Sequence, residues 1–231
     1  MTRKLAVFVE GLTEQEFTIR LLTELASNYL IEFKIHKQHR GHLIYSELRS
    51  TMQTGSPSVQ VLIANCCNDE QVKSQIIDQY ASLTAAGYDL IIGLRDVYPL
   101  THNDINKLTK HLLTGIPNGN VPVHLHLAIL EIEAWFIEES SHFSRIDKNI
   151  TTSQLASVGI DSKSLALSLK HPAKTLDLVY QSVGKRYNKN KRQIQRTIDA
   201  LSYEELYVNT RHKAPSLDGF IKSLEEGLIL V

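Results

Sequence analysis

Four acidic residues stand where an apolar run gives way to a polar turn. Glu10 closes "LAVFV" (5–9), Asp96 follows "LIIGL" (90–94), and Glu131 and Glu133 follow "HLHLAIL" (124–130). A carboxylate at the end of a buried strand is costly unless it is solvated, paired or holding a cation. Converging carboxylates without a cation repel one another, which raises their pKa values. Hard cations such as Mg²⁺ take oxygen ligands, often one or two carboxylates together with phosphate oxygens. The pattern therefore points to a cation site next to a phosphate-bearing substrate. It predicts that Glu10, Asp96 and at least one of Glu131 or Glu133 converge, with carboxylates roughly 4–8 Å apart. Some acids have simpler uses. Glu14, Glu16 and Glu133 suit the positive end of a helix, Thr13 with Glu16 fits a capping box, and Asp69 reads as the cap of the helix that follows it.

The elements that would position these groups alternate. "KLAVFV" (4–9), "VQVLIAN" (59–65), "YDLIIGL" (88–94) and "VPVHLHLAIL" (121–130) read as buried strands, and "LIEFKIHK" (30–37) alternates as a half-buried one. Helical periodicity fills 13–29, about 69–86 and 104–113. Such alternation predicts an α/β fold, a mainly parallel sheet flanked by helices, with sites beyond the carboxyl ends of the strands. After about residue 142 the pattern is short helices only, "TSQLASVG", "DSKSLALSLK", "PAKTLDLVYQSVG", "KRQIQRTIDALS" and "SLDGFIKSLEEGL". The expected division is an α/β domain at 1–141 and a helical region packed on it at 142–231.

Net charge is zero, but residues 1–141 hold 11 Lys/Arg against 16 Asp/Glu and residues 142–231 hold 14 against 9. An acidic lobe beside a basic one suits a cation site next to a polyanion surface. The basic stretch is "KRYNKNKRQIQR" (185–196), six cations without an acid. Lys185, Arg186, Lys189, Lys191, Arg192 and Arg196 read as contacts to a nucleic-acid backbone, or else as a solvated helix face. Lys73 or Arg95 is the guess for neutralising charge that develops in a reaction.

Other chemistry is less well marked. His124 and His126 share one face of a strand, as metal ligands or as packing groups. "HRGH" (39–42) reads as a loop, and Trp135 and Phe136 as core. Dinucleotide, P-loop and serine-hydrolase fingerprints are missing. No apolar run reaches 18 residues, which gives no expectation of a membrane span, and the amino-terminal run is too short for a secretory signal. The only cysteines, Cys66 and Cys67, are adjacent, poor geometry for an ordinary disulfide. That favours the cytoplasm.

With these residues in view, "VFVEGLTEQEF" resembles the E-G-x-T-E motif of TOPRIM domains in OLD-type nucleases and their bacterial relatives. "LIIGLRDVYP" resembles the second, D-x-D motif, with Tyr98 where the second aspartate would stand. "LAILEIEAWFIEE" is similar to an E-I-E-A-W segment in TOPRIM-like bacterial proteins. The resemblance covers about the first 140 residues. It implies a TOPRIM-like fold and a Mg²⁺- or Mn²⁺-dependent nuclease acting on DNA or RNA. It makes Glu10 and Asp96 catalytic, and Glu10, Glu14, Asp96, Glu131 and Glu133 metal ligands. It also implies an ABC- or SMC-like ATPase partner in antiviral defence. The other reading, which Tyr98 favours, is a catalytically silent TOPRIM-like module that binds and regulates an ATPase or nucleic acid.

Overall fold

The computed structural model describes residues 2–26, 29–51, 55–98, 100, 102–160 and 166–228. Six strands form one sheet: β1 (Arg3–Val9), β2 (Ile31–His39), β3 (His42–Ser50), β4 (Val59–Asn65), β5 (Leu90–Asp96) and β6 (Val123–Ala128), in the order β3-β2-β4-β1-β5-β6. β1 runs parallel to β4 and β5, β4 runs parallel to β2, and β3 pairs antiparallel with β2. Ile91 N–H donates to Pro122 C=O and Val97 N–H to Ala128 C=O, so β6 rises in step with β5. The fold is thus mixed α/β with a mostly parallel sheet and a helical carboxyl-terminal region, as the alternation predicts.

Central position explains composition. β1 is covered on both faces, and Leu5 to Val9 are fully buried, so the strand has no polar alternation. The fifth expected strand, β2, pairs with a sixth that the sequence reading missed. "HRGH" is the turn of this hairpin, with Arg40 at φ 49° and Gly41 at φ 85°. β3 lies at the sheet edge and is mostly exposed, so it carries no apolar pattern to announce it. Glu16 does not close a capping box either: its carboxylate takes both Arg49 nitrogens of β3, at 2.7 and 3.0 Å.

Two compact units divide the chain, one of Met1–Arg95, Asn106–Leu127 and Gly219–Val231, the other of Asp96–Ile105 and Ala128–Asp218. This differs from the sequential division expected at residue 141. The chain leaves the first unit where β5 and β6 end, and the last helix, Pro215–Leu228, returns to it from Gly219 on. There Gly227 lies against Leu5 and Gly219 against His126.

In the first unit α1 (Leu12–Ala26), α2 (Asp69–Ala85) and α3 (Ile105–Leu113) connect the strands. α2 packs tightly on the sheet. A Cβ on Gly93 would stand 2.5 Å from Leu125 Cδ2 and 2.9 Å from Ile76 Cδ1. Gly93→Ala is therefore expected to cost about 1–3 kcal/mol by overpacking, read as a lower denaturation midpoint at unchanged m-value. Asn68 caps α2 instead of Asp69, accepting from Glu70 N–H at 2.8 Å. Asp69 is taken by Arg95 at 2.5 Å, and Lys73 donates to the His111 carbonyl. Cys66 is core, and burial pushes its thiol up to about 12.

The second unit is helical: α4 (Glu133–Glu138), α5 (His142–Ile146), α6 (Thr152–Ser157), α7 (Pro172–Gln181) and α8 (Lys191–Ala200). The helix expected in "DSKSLALSLK" lies partly outside the described residues, which begin again with a 3₁₀ turn at Ala166–Ser168. Trp135 and Phe136 are core as read, and the Trp135 indole donates to Ser216 Oγ at 3.0 Å. Phe143, Tyr180 of α7 and Tyr187 pack edge to face in turn.

Candidate metal centre

Asp96, Glu131 and Glu133 meet in the second unit. Each offers one carboxylate oxygen, and the three lie within 4.8 Å of one another. Their placement follows from strand ends. Asp96 ends β5, and Leu130, held at φ 63°, turns the chain out of β6 so that Glu131 and Glu133 come back towards it. Such a left-handed backbone at a leucine is strained, and strain of this kind gathers at functional sites.

Backbone donors fix two of the three. Asp96 Oδ1 accepts from Ile132 N–H at 3.0 Å, and Asp96 is only 4% exposed. Glu131 Oε2 accepts at 2.9 Å from Ala173 N–H in the first turn of α7, and its side chain is 12% exposed. Glu133 has no exposure at all. Its Oε1 accepts from the Tyr187 hydroxyl at 2.8 Å and faces Lys189 Nζ at 3.0 Å, while its Oε2 is buried with no hydrogen-bond partner. Burial pushes the Glu133 pKa up, Glu131 adds to that, and Lys189 and Tyr187 oppose it. A fully buried carboxylate oxygen without a donor is a costly arrangement, which a bound proton or a cation would relieve.

Glu10 and Glu14 belong to the first unit. Val9 pairs with Leu94, so Glu10 leaves β1 at the carboxyl-terminal edge of the sheet. Glu14 is 4% exposed in the first turn of α1, and its Oε2 lies 3.1 Å from where a Cβ on Gly11 would be. The absence of a side chain at Gly11 lets that carboxylate fold back over the β1–α1 turn. Glu133 does stand in the first turn of α4, as the alternative reading has it, with its Oε1 on Tyr187 and Lys189.

The basic stretch is used largely inside its own unit. Lys185 pairs with Asp147 at 2.5 Å, Arg186 with Asp177 at 3.2 Å, and Lys189 with Glu131 and Glu133. Arg196 lies over the Tyr180 ring and donates to the Arg186 carbonyl. Lys191 and Arg192 are exposed at the start of α8. The sequence reading assigned Tyr187 nothing, although an aromatic hydroxyl two residues from a lysine was visible in it. His124 Nδ1 and His126 Nε2 both meet Ser223 Oγ at 2.9 Å, and neither joins a metal-binding group among the described residues.

Over residues 9–225 the chain matches the family described as "Domain of unknown function (DUF4276)". No curated protein matches it. No helix among the described residues is long and apolar enough to cross a membrane.

Proposed function

For this chain, which belongs to the DUF4276 family, we propose the activity of a Mg²⁺- or Mn²⁺-dependent nuclease whose ion is held by Asp96, Glu131 and Glu133. The observation that carries the reading is the trio of converging carboxylates with the bare, buried Oε2 of Glu133. An all-oxygen donor set of this kind suits a hard divalent cation and not a thiolate- or imidazole-seeking one.

When bound, such an ion supplies Lewis-acid polarisation of a phosphoryl oxygen. The chain's own residues do the positioning. Ile132 N–H and Ala173 N–H hold Asp96 and Glu131 through one oxygen each, and Tyr187 holds Glu133 in the same way. The support for nucleic acid as substrate is the resemblance to OLD-type TOPRIM nucleases, together with the exposed Lys191 and Arg192. For Glu10 as a catalytic carboxylate and Glu14 as a further ligand, the support is the E-G-x-T-E motif alone. An ATPase partner and a role in antiviral defence rest on the same resemblance.

Labelled DNA and RNA incubated with the purified chain are expected to be cut in Mg²⁺ or Mn²⁺ and to stay intact in EDTA. Asp96→Asn and Glu10→Ala should each remove the cleavage while leaving the circular-dichroism spectrum unchanged. The second reading, a silent module that binds nucleic acid or an ATPase, is favoured by Tyr98. It stands in place of the second motif aspartate, and its ring packs edge-on against His171 at 5.7 Å. Binding without cleavage in any metal would select that reading.

A further inference from the structure

We propose that the Lys189 ammonium is a built-in counter-ion of the carboxylate cluster, which a divalent cation must expel to bind; this rests on the reading of the cluster as a metal site. Lys189 Nζ lies 3.0 Å from Glu133 Oε1 and 3.5 Å from Glu131 Oε1, so one ammonium serves two of the three candidate ligands. Three carboxylates within 4.8 Å cannot all stay ionised beside one another without positive charge among them. Lys189 supplies that charge from within the chain.

The ammonium and a divalent ion exclude one another for a geometric reason. An ion on the bare Oε2 of Glu133 would share that carboxylate with the ammonium on Oε1 and so lie within a few ångströms of it. Like charges at that separation, away from bulk water, repel strongly. The lysine has a way out: its side chain is 38% exposed, whereas Glu133 is wholly buried. Its four-carbon stem can turn into solvent without opening the core, and an ammonium is well hydrated there.

The loop that carries Lys189 is meanwhile clamped. Asp177 accepts from Tyr187 N–H at 2.6 Å and pairs with Arg186. Gln193 Oε1 accepts from Asn188 N–H, and Lys189 itself is fixed at φ 54°. Exchange of cations therefore moves one side chain and leaves the Tyr187 bond to Glu133 in place. The basic segment, expected to meet phosphate, instead delivers its central lysine to the acids, and arrival of a metal releases that lysine.

Mn²⁺ titrations of the full chain, followed by electron paramagnetic resonance, test this directly. Lys189→Met should bind Mn²⁺ about tenfold more tightly than wild type or better, the equivalent of about 1.4 kcal/mol. Lys189→Arg should not. In the wild type, labelling of Lys189 by an amine-acylating reagent, mapped by mass spectrometry, should rise severalfold at saturating Mn²⁺. Equal or weaker binding by Lys189→Met overturns the proposal, and so does labelling that fails to rise. The labelling needs no variant and decides the matter if Lys189→Met does not fold. Absence of Mn²⁺ binding in wild type and Lys189→Met alike would instead remove the metal reading of the cluster, and this inference with it.

Discussion

If the chain is the metal-dependent nuclease proposed above, Glu133→Gln is expected to reduce cleavage by a hundredfold or more, about 2.7 kcal/mol of lost transition-state stabilisation. Glutamine matches glutamate in shape and keeps an oxygen for the Tyr187 hydroxyl, which donates to Oε1 at 2.8 Å. What it lacks is charge, and with it affinity for a hard cation. Stability should separate this from unfolding. The Glu133 carboxylate is fully buried and sits within 4.8 Å of two others, so its neutralisation relieves desolvation and repulsion. The melting temperature of Glu133→Gln in EDTA is expected to hold or rise. Mn²⁺ at a hundred times its dissociation constant should stabilise the wild type by about 2.7 kcal/mol, and the variant not at all. A variant that melts far below wild type in EDTA, or one that retains full cleavage, would show that Glu133 serves the fold and not an ion.

The second large effect concerns acid. His142 is completely buried, and its Nδ1–H donates to the Glu139 carbonyl at 2.7 Å. Its Nε2 is buried without a partner. Protonation there would place a charge among Phe143 and Tyr180, and burial lowers the His142 pKa to about 4, with Arg145 adding to the shift. In the unfolded chain the imidazole returns to its ordinary value near 6.5. Between those two values the unfolded state binds the proton that the folded state refuses, so stability is lost as pH falls from 6.5 to 4 and levels off below. The loss attributable to His142 is on the order of 3 kcal/mol. Glu139 and Glu133, whose pKa values burial raises, act in the opposite sense as pH falls towards the ordinary carboxylate range. Urea midpoints measured from pH 7 to 4 for wild type and His142→Gln isolate the histidine. Parallel curves would mean that His142 does not resist its proton.

Particular residues show how far the sequence could be read. Glu131 and Glu133 were visible as candidates because they directly follow the run that becomes β6, and Asp96 because it ends a run buried on both faces. In a parallel sheet every strand ends on one edge, so acids at strand ends gather there whatever the loops do. Lys189 was legible only as charge. Six cations in twelve residues look alike in a linear reading, and nothing in the spacing says which meets an acid of its own chain. Asp147, Glu131 and Glu133, which absorb Lys185 and Lys189, lie far from them in sequence, and even Asp177, nine residues before Arg186, stands outside the stretch.

The sequence by itself determined the class of fold and the places where acids leave the sheet, because burial on both faces writes an unbroken apolar run and helices write a 3.6-residue period. It did not determine β3, whose exposed edge position demands no pattern, nor the passage between units at Asp96 and Ala128. Only the tertiary structure decided that Glu133 gives one oxygen to Tyr187 and Lys189 and keeps the other bare. That choice depends on the directions of side chains held by elements more than fifty residues apart, and hydrogen-bond partners of that kind are set by packing and leave no period in the chain.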